Sequence, residues 1–155
     1  NIMKKILIPI EFKNNSDKVI EYAVHLHKNE ACAFYLLNTY SLNISGLQAL
    51  NFLKASRDWR EKPKQKSEKS LAILVDKYSA IYKEYNHQFY ALSECESLIR
   101  GIQKTIEKLK IDLIIMATKS KKEKCFGKYA TNTERIIENI RKCPLIIMPK
   151  NQIIE

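Results

Sequence analysis

A chain of 155 residues, 45% of them apolar, is long enough to bury a core within one domain. None of its apolar runs approaches the roughly 20 residues that span a bilayer, so a membrane-spanning helix is not expected. Basic residues outnumber acidic ones 27 to 17, a net charge of +10, which attracts anions and otherwise makes a solvated basic surface.

Two lysines, Lys4 and Lys5, precede a short apolar stretch at the N-terminus. The stretch is too short for a secretion signal, and no small-residue cleavage site follows. A cytoplasmic location with reduced thiols is the expectation. Cys32, Cys95, Cys125 and Cys143 lie far apart without a CxxC spacing, which argues against zinc and thioredoxin-like chemistry. Cys32 and Cys143 flank predicted strands and read as small apolar packing groups.

Lys4 to Ile10 reads as a first strand, with Pro9 near its end, where a missing N–H is tolerated. Ser16 is a candidate N-cap for a helix in which Val19, Ala23 and Leu26 space one face, helped by Ile20 and Tyr22. Ala31 to Tyr40 is apolar on both faces, as a central parallel strand is. Residues 41–85 form a helical excursion with a break at Pro63: Leu47 to Lys62 is one helix, and Leu71, Leu74, Val75, Tyr78 and Ile81 mark a second. The charged run Arg57 to Lys69 lies across the joint and reads as a solvated surface or a partner-binding arm.

His87 to Leu92 reads as a third strand, with His87 facing solvent. Ser93 to Glu96 has the form of a capping box for a helix that buries Leu98, Ile102, Ile106 and Leu109. Gly101 weakens that helix unless close packing requires it. Asp112 opens a fourth strand, Ile111 to Met116 being an apolar, β-branched run. A lysine-rich loop follows, then a helix from Thr131 to Arg141 with Ile136, Ile137 and Ile140 on one face, stopped by Cys143-Pro144. Leu145 to Met148 is the last strand. Strands and helices alternate throughout, so the fold class is α/β: one domain over 1–155 with an open, five-stranded, mainly parallel sheet and helices on both faces.

Two stretches carry a resemblance. KKILIPIEF…SDKVIEYAVHLHKN…FYLLNTY and DLIIMAT…ATNTERIIENIRKCPLIIMPK, about half of the chain, resemble the two halves of a universal stress protein domain. The resemblance implies the strand order 3-2-1-4-5, a Rossmann-like arrangement. Its crevice lies between strands 1 and 4, where the winding direction switches. It places a nucleotide crevice at Pro9, Ile10, Glu11, Thr39, Met116, Ala117, Ser120, Ala130, Thr131 and Asn132. Glu11 stands where nucleotide-binding members carry Asp, and Thr39 where main chain meets the adenine. It also implies a homodimer formed by pairing of the strand Leu145–Met148.

The glycine loop of nucleotide-binding members has Gly, two residues, Gly, nine residues, then Gly-Ser/Thr. This chain keeps the spacing with Ala117, Ser120 and Ala130-Thr131, and has none of the glycines. Glycine there allows positive φ and close approach of phosphate, and each alanine adds a Cβ. The expectation is therefore a non-enzymatic stress-response binding module whose ATP site is impaired, with no cofactor, acting on protein partners or a small anionic ligand. The alternative is an ATP-binding member in which Lys119, Lys121, Lys122, Lys124 and Lys128 replace the glycine amides, with slow hydrolysis. Thr131 to Glu134 has a capping-box pattern, and the helix it opens would offer its amides to phosphate.

No catalytic or metal-binding set is expected. His25 and His27 stand two apart on a helix and do not share a face. Cys125 is either an inert loop thiol or one activated by nearby lysines. The lysines are scattered without interleaved aromatics, so nucleic acid is not an expected partner.

Overall fold

The computed structural model describes residues 2–12, 15–42, 58–117 and 132–149. Strands alternate with helices in the order β1 (Lys4–Pro9), α1 (Ser16–Leu26), β2 (Cys32–Tyr40), α2 (Asp58–Ile81), β3 (His87–Cys95), α3 (Leu98–Leu109), β4 (Leu113–Ala117), α4 (Asn132–Asn139) and β5 (Leu145–Met148). The sheet order is β3-β2-β1-β4-β5. Every adjacent pair is parallel.

Two apolar layers enclose the sheet, because alternate strand residues face opposite sides. Ile6, Ile8, Phe34, Leu36 and Ile115 pack with Val19, Ile20, Ala23 and Val24 of α1 and Leu71, Leu74 and Tyr78 of α2. On the other face Leu7, Leu37, Ile114 and Met116 meet Ile102 of α3, Ile136 of α4 and Ile140 just after that helix. Burial on both faces explains why the strands read as continuous apolar runs rather than alternating ones. Cys32 and Cys143 are buried, as small packing groups are.

One end of the sheet is fastened through Lys5. Its N–H donates to Asp112 Oδ2 at 2.8 Å, and its carbonyl accepts from Asp112 N–H at 2.9 Å. Its ammonium Nζ donates to the carbonyl of Leu109 at 2.9 Å, satisfying an orphan acceptor at the end of α3. Asp112 thus precedes the strand and anchors it.

Several helix limits differ from the sequence reading. Ser16 is the first helical residue rather than the cap. Asn15 holds the N-cap in the left-handed region, φ 52°, with no side-chain cap, a conformation that Asn tolerates. Ser93 lies inside β3, which runs on to Cys95, and Ser97 is the cap of α3, its Oγ accepting from Arg100 N–H at 3.3 Å.

The helix α2 continues through Pro63 without a break. The missing N–H of Pro63 forfeits one bond, while Leu71, Leu74 and Tyr78 hold the helix by burial; residues 47–57 of the expected first helix lie outside the described residues. Helix α4 ends at Asn139, before Cys143-Pro144; Asn139 Nδ2 turns back onto the Arg135 carbonyl at 2.7 Å. Ile136 and Ile140 are buried, but Ile137 is 52% exposed, since a neighbour in sequence lies about 100° around the helix.

Candidate functional site

The crevice between β1 and β4 is opened by a proline. Ile10 N–H donates to the Leu37 carbonyl at 2.7 Å, so Ile10 turns its main chain to β2. Alternation then turns Lys5, Leu7 and Pro9 to β4. Pro9 has no N–H to offer, and the next rung cannot form. Pairing of β1 with β4 accordingly covers Ile6↔Leu113 and Leu7↔Ile114 only, although the strands run on to Pro9 and Ala117. A gap in the ladder thus sits at the switch point, where parallel sheets hold ligands.

Pro9, Ile10 and Met116 are buried beside that gap, and Glu11 and Ala117 are half-buried at its lip. Ala117 packs against the core on the α1 and α2 face. It is held by its pairing with Met148 of β5.

Thr39 also belongs to this end of the sheet. Leu37 faces β1 through its carbonyl, so Thr39, two residues on, faces the same way. Pairing of β1 with β2 ends at Pro9↔Leu37, which leaves the Thr39 main chain beyond the last rung of that pairing. The Thr39 side chain points to the other helix layer, onto Gly101 of α3.

A partly buried polar chain runs beside the crevice. Ser93 Oγ donates to Ser67 Oγ at 2.6 Å, Ser67 Oγ to Asn38 Oδ1 at 2.7 Å, and Asn38 Nδ2 to the Ile10 carbonyl at 2.9 Å. It ties β3, α2, β2 and β1 together directly before Glu11. None of Asn38, Ser67 and Ser93 stood out from the sequence as functional, although two signals were present. Asn38 interrupts an apolar strand, and Ser67 shares the helical phase of Leu71, Leu74 and Tyr78.

Of the positions expected in the crevice, the structure brings together Pro9, Ile10, Glu11, Thr39, Met116 and Ala117 at the carboxyl ends of β1, β2 and β4. Asn132 opens α4. Ser120, Ala130 and Thr131 lie outside the described residues, as do the loop lysines and Cys125.

Elsewhere, His87 corrects the solvent-facing expectation. Its Nε2 bonds to the His27 carbonyl at 2.8 Å, and its ring stands edge-on to Phe34. His27 is buried, its Nδ1 on the Ala23 carbonyl at 3.1 Å, while His25 is exposed. Among the described residues no group of three His, Cys, Asp or Glu side chains could hold a metal ion. No helix among them is long and apolar enough to cross a membrane. A groove of about 770 Å³ lies away from the crevice, between α3 and α4, lined by Arg100, Lys104, Glu107, Glu138 and Arg141 over Ile106 and Ile140. Its charges are mixed, and Arg100 is engaged with Glu96 at 3.7 Å.

A sequence model of the universal stress protein family matches residues 3–147. Solved structures are similar over nearly the whole chain. The universal stress protein UspA from Lactobacillus plantarum has a TM-score of 0.70 at 12% identity, over 96% of this chain and 100% of that one. A universal stress protein from Archaeoglobus fulgidus gives 0.56 at 11% identity, over 96% and 95%. A family protein from Arabidopsis thaliana, solved with AMP bound, gives 0.55 at 11% identity, over 96% and 92%. At these identities the likeness is one of fold. No curated protein sequence matches the chain significantly.

Proposed function

The chain belongs to the universal stress protein family, and we propose that it is a non-enzymatic stress-response binding module with an impaired ATP site. The observation that carries this reading is Ala117. It stands at the lip of the crevice where the nucleotide-binding pattern has glycine, and it packs against the core. It brings a Cβ and a main chain without positive φ to a position where glycine would leave both free. Ala130 repeats the substitution in the sequence.

A second reading, an ATP-binding protein with lysines in place of the glycine amides, has its own support. The gap at Pro9 and the outward main chain of Thr39 keep the base-binding side open, and a structural relative holds AMP. Lysine is a hydrated, mobile charge and replaces fixed amides poorly, so the first reading is preferred.

The module is proposed to work in the cytoplasm as a homodimer through β5. That strand is a sheet edge whose Leu145, Ile146 and Ile147 are half-buried, an edge that pairing would cover.

Titration calorimetry with magnesium and ATP tests the reading. The native chain is expected to bind no more tightly than millimolar, and an Ala117→Gly/Ala130→Gly variant to bind more tightly. Micromolar binding by the native chain, about −8 kcal/mol, would establish the second reading instead.

A further inference from the structure

The sheet has a second edge, and it is built differently from the first. β5 is short and stands between Pro144 and Pro149. β3 runs for nine residues, His87–Cys95, and contains neither proline nor lysine. Natural edges of this length are usually guarded by such residues, by bulges or by cover.

The direction of each main-chain group in β3 follows from one hydrogen bond. Cys32 N–H donates to the Asn86 carbonyl at 3.0 Å, so Asn86 faces β2. Alternation turns Gln88, Tyr90, Leu92 and Glu94 to β2 as well, in the register Ala33↔Gln88 to Thr39↔Glu94. Phe89, Ala91 and Ser93 therefore turn N–H and C=O outward. Among the described residues none bonds to these outward groups. Beside them Tyr90 is 41% exposed, its hydroxyl on Gln88 Oε1.

We propose that the outer edge of β3 binds the β3 strand of a second copy, antiparallel, about a two-fold axis at Ala91. The strand is self-complementary in that register. Ala91 meets Ala91, and Phe89 meets Ser93, as hydrogen-bonded pairs that use the outward groups. Tyr90 meets Leu92 on the next rung, an aromatic–aliphatic contact that covers both side chains.

Glu94, the one charged residue of β3, meets Gln88 rather than its own copy. The Gln88 oxygen is taken by Tyr90, which leaves its NH₂ to donate to that carboxylate as a second partner beside Lys104, whose Nζ lies 3.5 Å from Glu94 Oε2 in the same chain. A register centred on Phe89 would bring two phenylalanines together and leave both Glu94 side chains beyond the pairing.

Lys77 and Tyr78 turn one flank of α2 to Asp17 of α1. The opposite flank carries Ala72, Val75 and Ser79 at spacings of three and four, with Glu68 one turn before them.

The test is sedimentation velocity of the full chain from micromolar to millimolar concentration, with Ala91→Lys and Ala91→Glu variants. Ala91 is exposed, so either side chain fits the fold, which circular dichroism checks. The native chain is expected to reach at least twice the mass of either variant. An equimolar mixture of the two variants, with opposite charges across the axis, is expected to regain it.

Equal masses for the native chain and both variants would overturn the proposal, as would a mixture that stays at the single-variant mass. Exchange of the Phe89, Ala91 and Ser93 amides gives an independent reading: at least tenfold slowing as concentration rises supports pairing, and unchanged rates refute it. The mass left in the variants, dimer or monomer, reports on β5 separately.

Discussion

Gly101 and Thr39 touch where no side chain would fit: a Cβ on Gly101 would lie 2.6 Å from Thr39 Cγ2. Helix α3 is thereby seated directly on the end of β2, next to the crevice. Threonine is stiff about χ1 and cannot swing its methyl aside at little cost.

Gly101→Ala is therefore expected to destabilise the protein in spite of alanine's higher helix propensity. Overpacking costs about 1–3 kcal/mol and propensity returns about 1. Thr39→Ser, which removes the methyl, should rescue most of the loss in the double variant. Urea denaturation of the four proteins measures the coupling; independent, additive effects would show that the contact does not limit α3.

Ser67 is the middle of the polar chain beside the crevice and is 4% exposed. Ser67→Ala leaves Asn38 Oδ1 without its donor and Ser93 without its acceptor. A loss of about 1–3 kcal/mol is expected. Ser93→Ala removes only the outer member and should cost less. After Ser67→Ala, adding Ser93→Ala should cost almost nothing, because the bond is already gone. Thermal unfolding of the three variants checks the order.

Asp17 links α1 to α2. It accepts the hydroxyl of Tyr78 and lies 2.9 Å from Lys77 Nζ. The Tyr78 hydrogen bond, then that of Lys77, holds its carboxyl below the ordinary value of 3.8. A carboxyl lowered on folding adds stability that is complete above its unfolded value and disappears as pH falls through the folded one.

Tyr78→Phe is thus expected to cost about 1 kcal/mol at neutral pH, Asp17 being half-exposed and partly screened. The deficit should shrink as pH drops below about 4. A deficit that does not change between pH 7 and pH 2 would trace instead to packing of the ring.

The sheet was the legible part of the sequence. Strands buried on both faces must be apolar at every position, so Ile6 to Ile8, Phe34 to Leu37 and Leu113 to Met116 stood out, and Pro9 could sit only at a ladder end. The strand order followed from the family resemblance. Local signals at helix ends were less faithful, because Ser93 and Ser97 are both good caps and only the length of β3 decides between them. Pro63 reads as a break because proline usually ends a helix, yet here it sacrifices one bond out of many in a helix held by burial. His87 looked exposed because a polar side chain at a strand start usually is; its partner, the His27 carbonyl, is 60 residues away. In the crevice, Pro9 and Thr39 could be named in advance, whereas Asn38, Ser67 and Ser93 meet only once α2 lies across the strands.

Lys5 gives the crevice a pivot. It fixes β1 to Asp112 and Leu109 at the amino end of the strands, and the ladder is undone by Pro9 at the other end. The two strands are therefore joined like the blades of a pair of tongs, closed at the rivet and unpaired with each other at the tips, where each is held by its outer neighbour. Ile10 lies five residues from the rivet, about 17 Å along an extended chain. Each degree of rotation at Lys5 moves Ile10 by about 0.3 Å. Such a swing carries β2 along, because Ile10 is bonded to Leu37 and Asn38, and it loads the two rungs at Ile6 and Leu7 first.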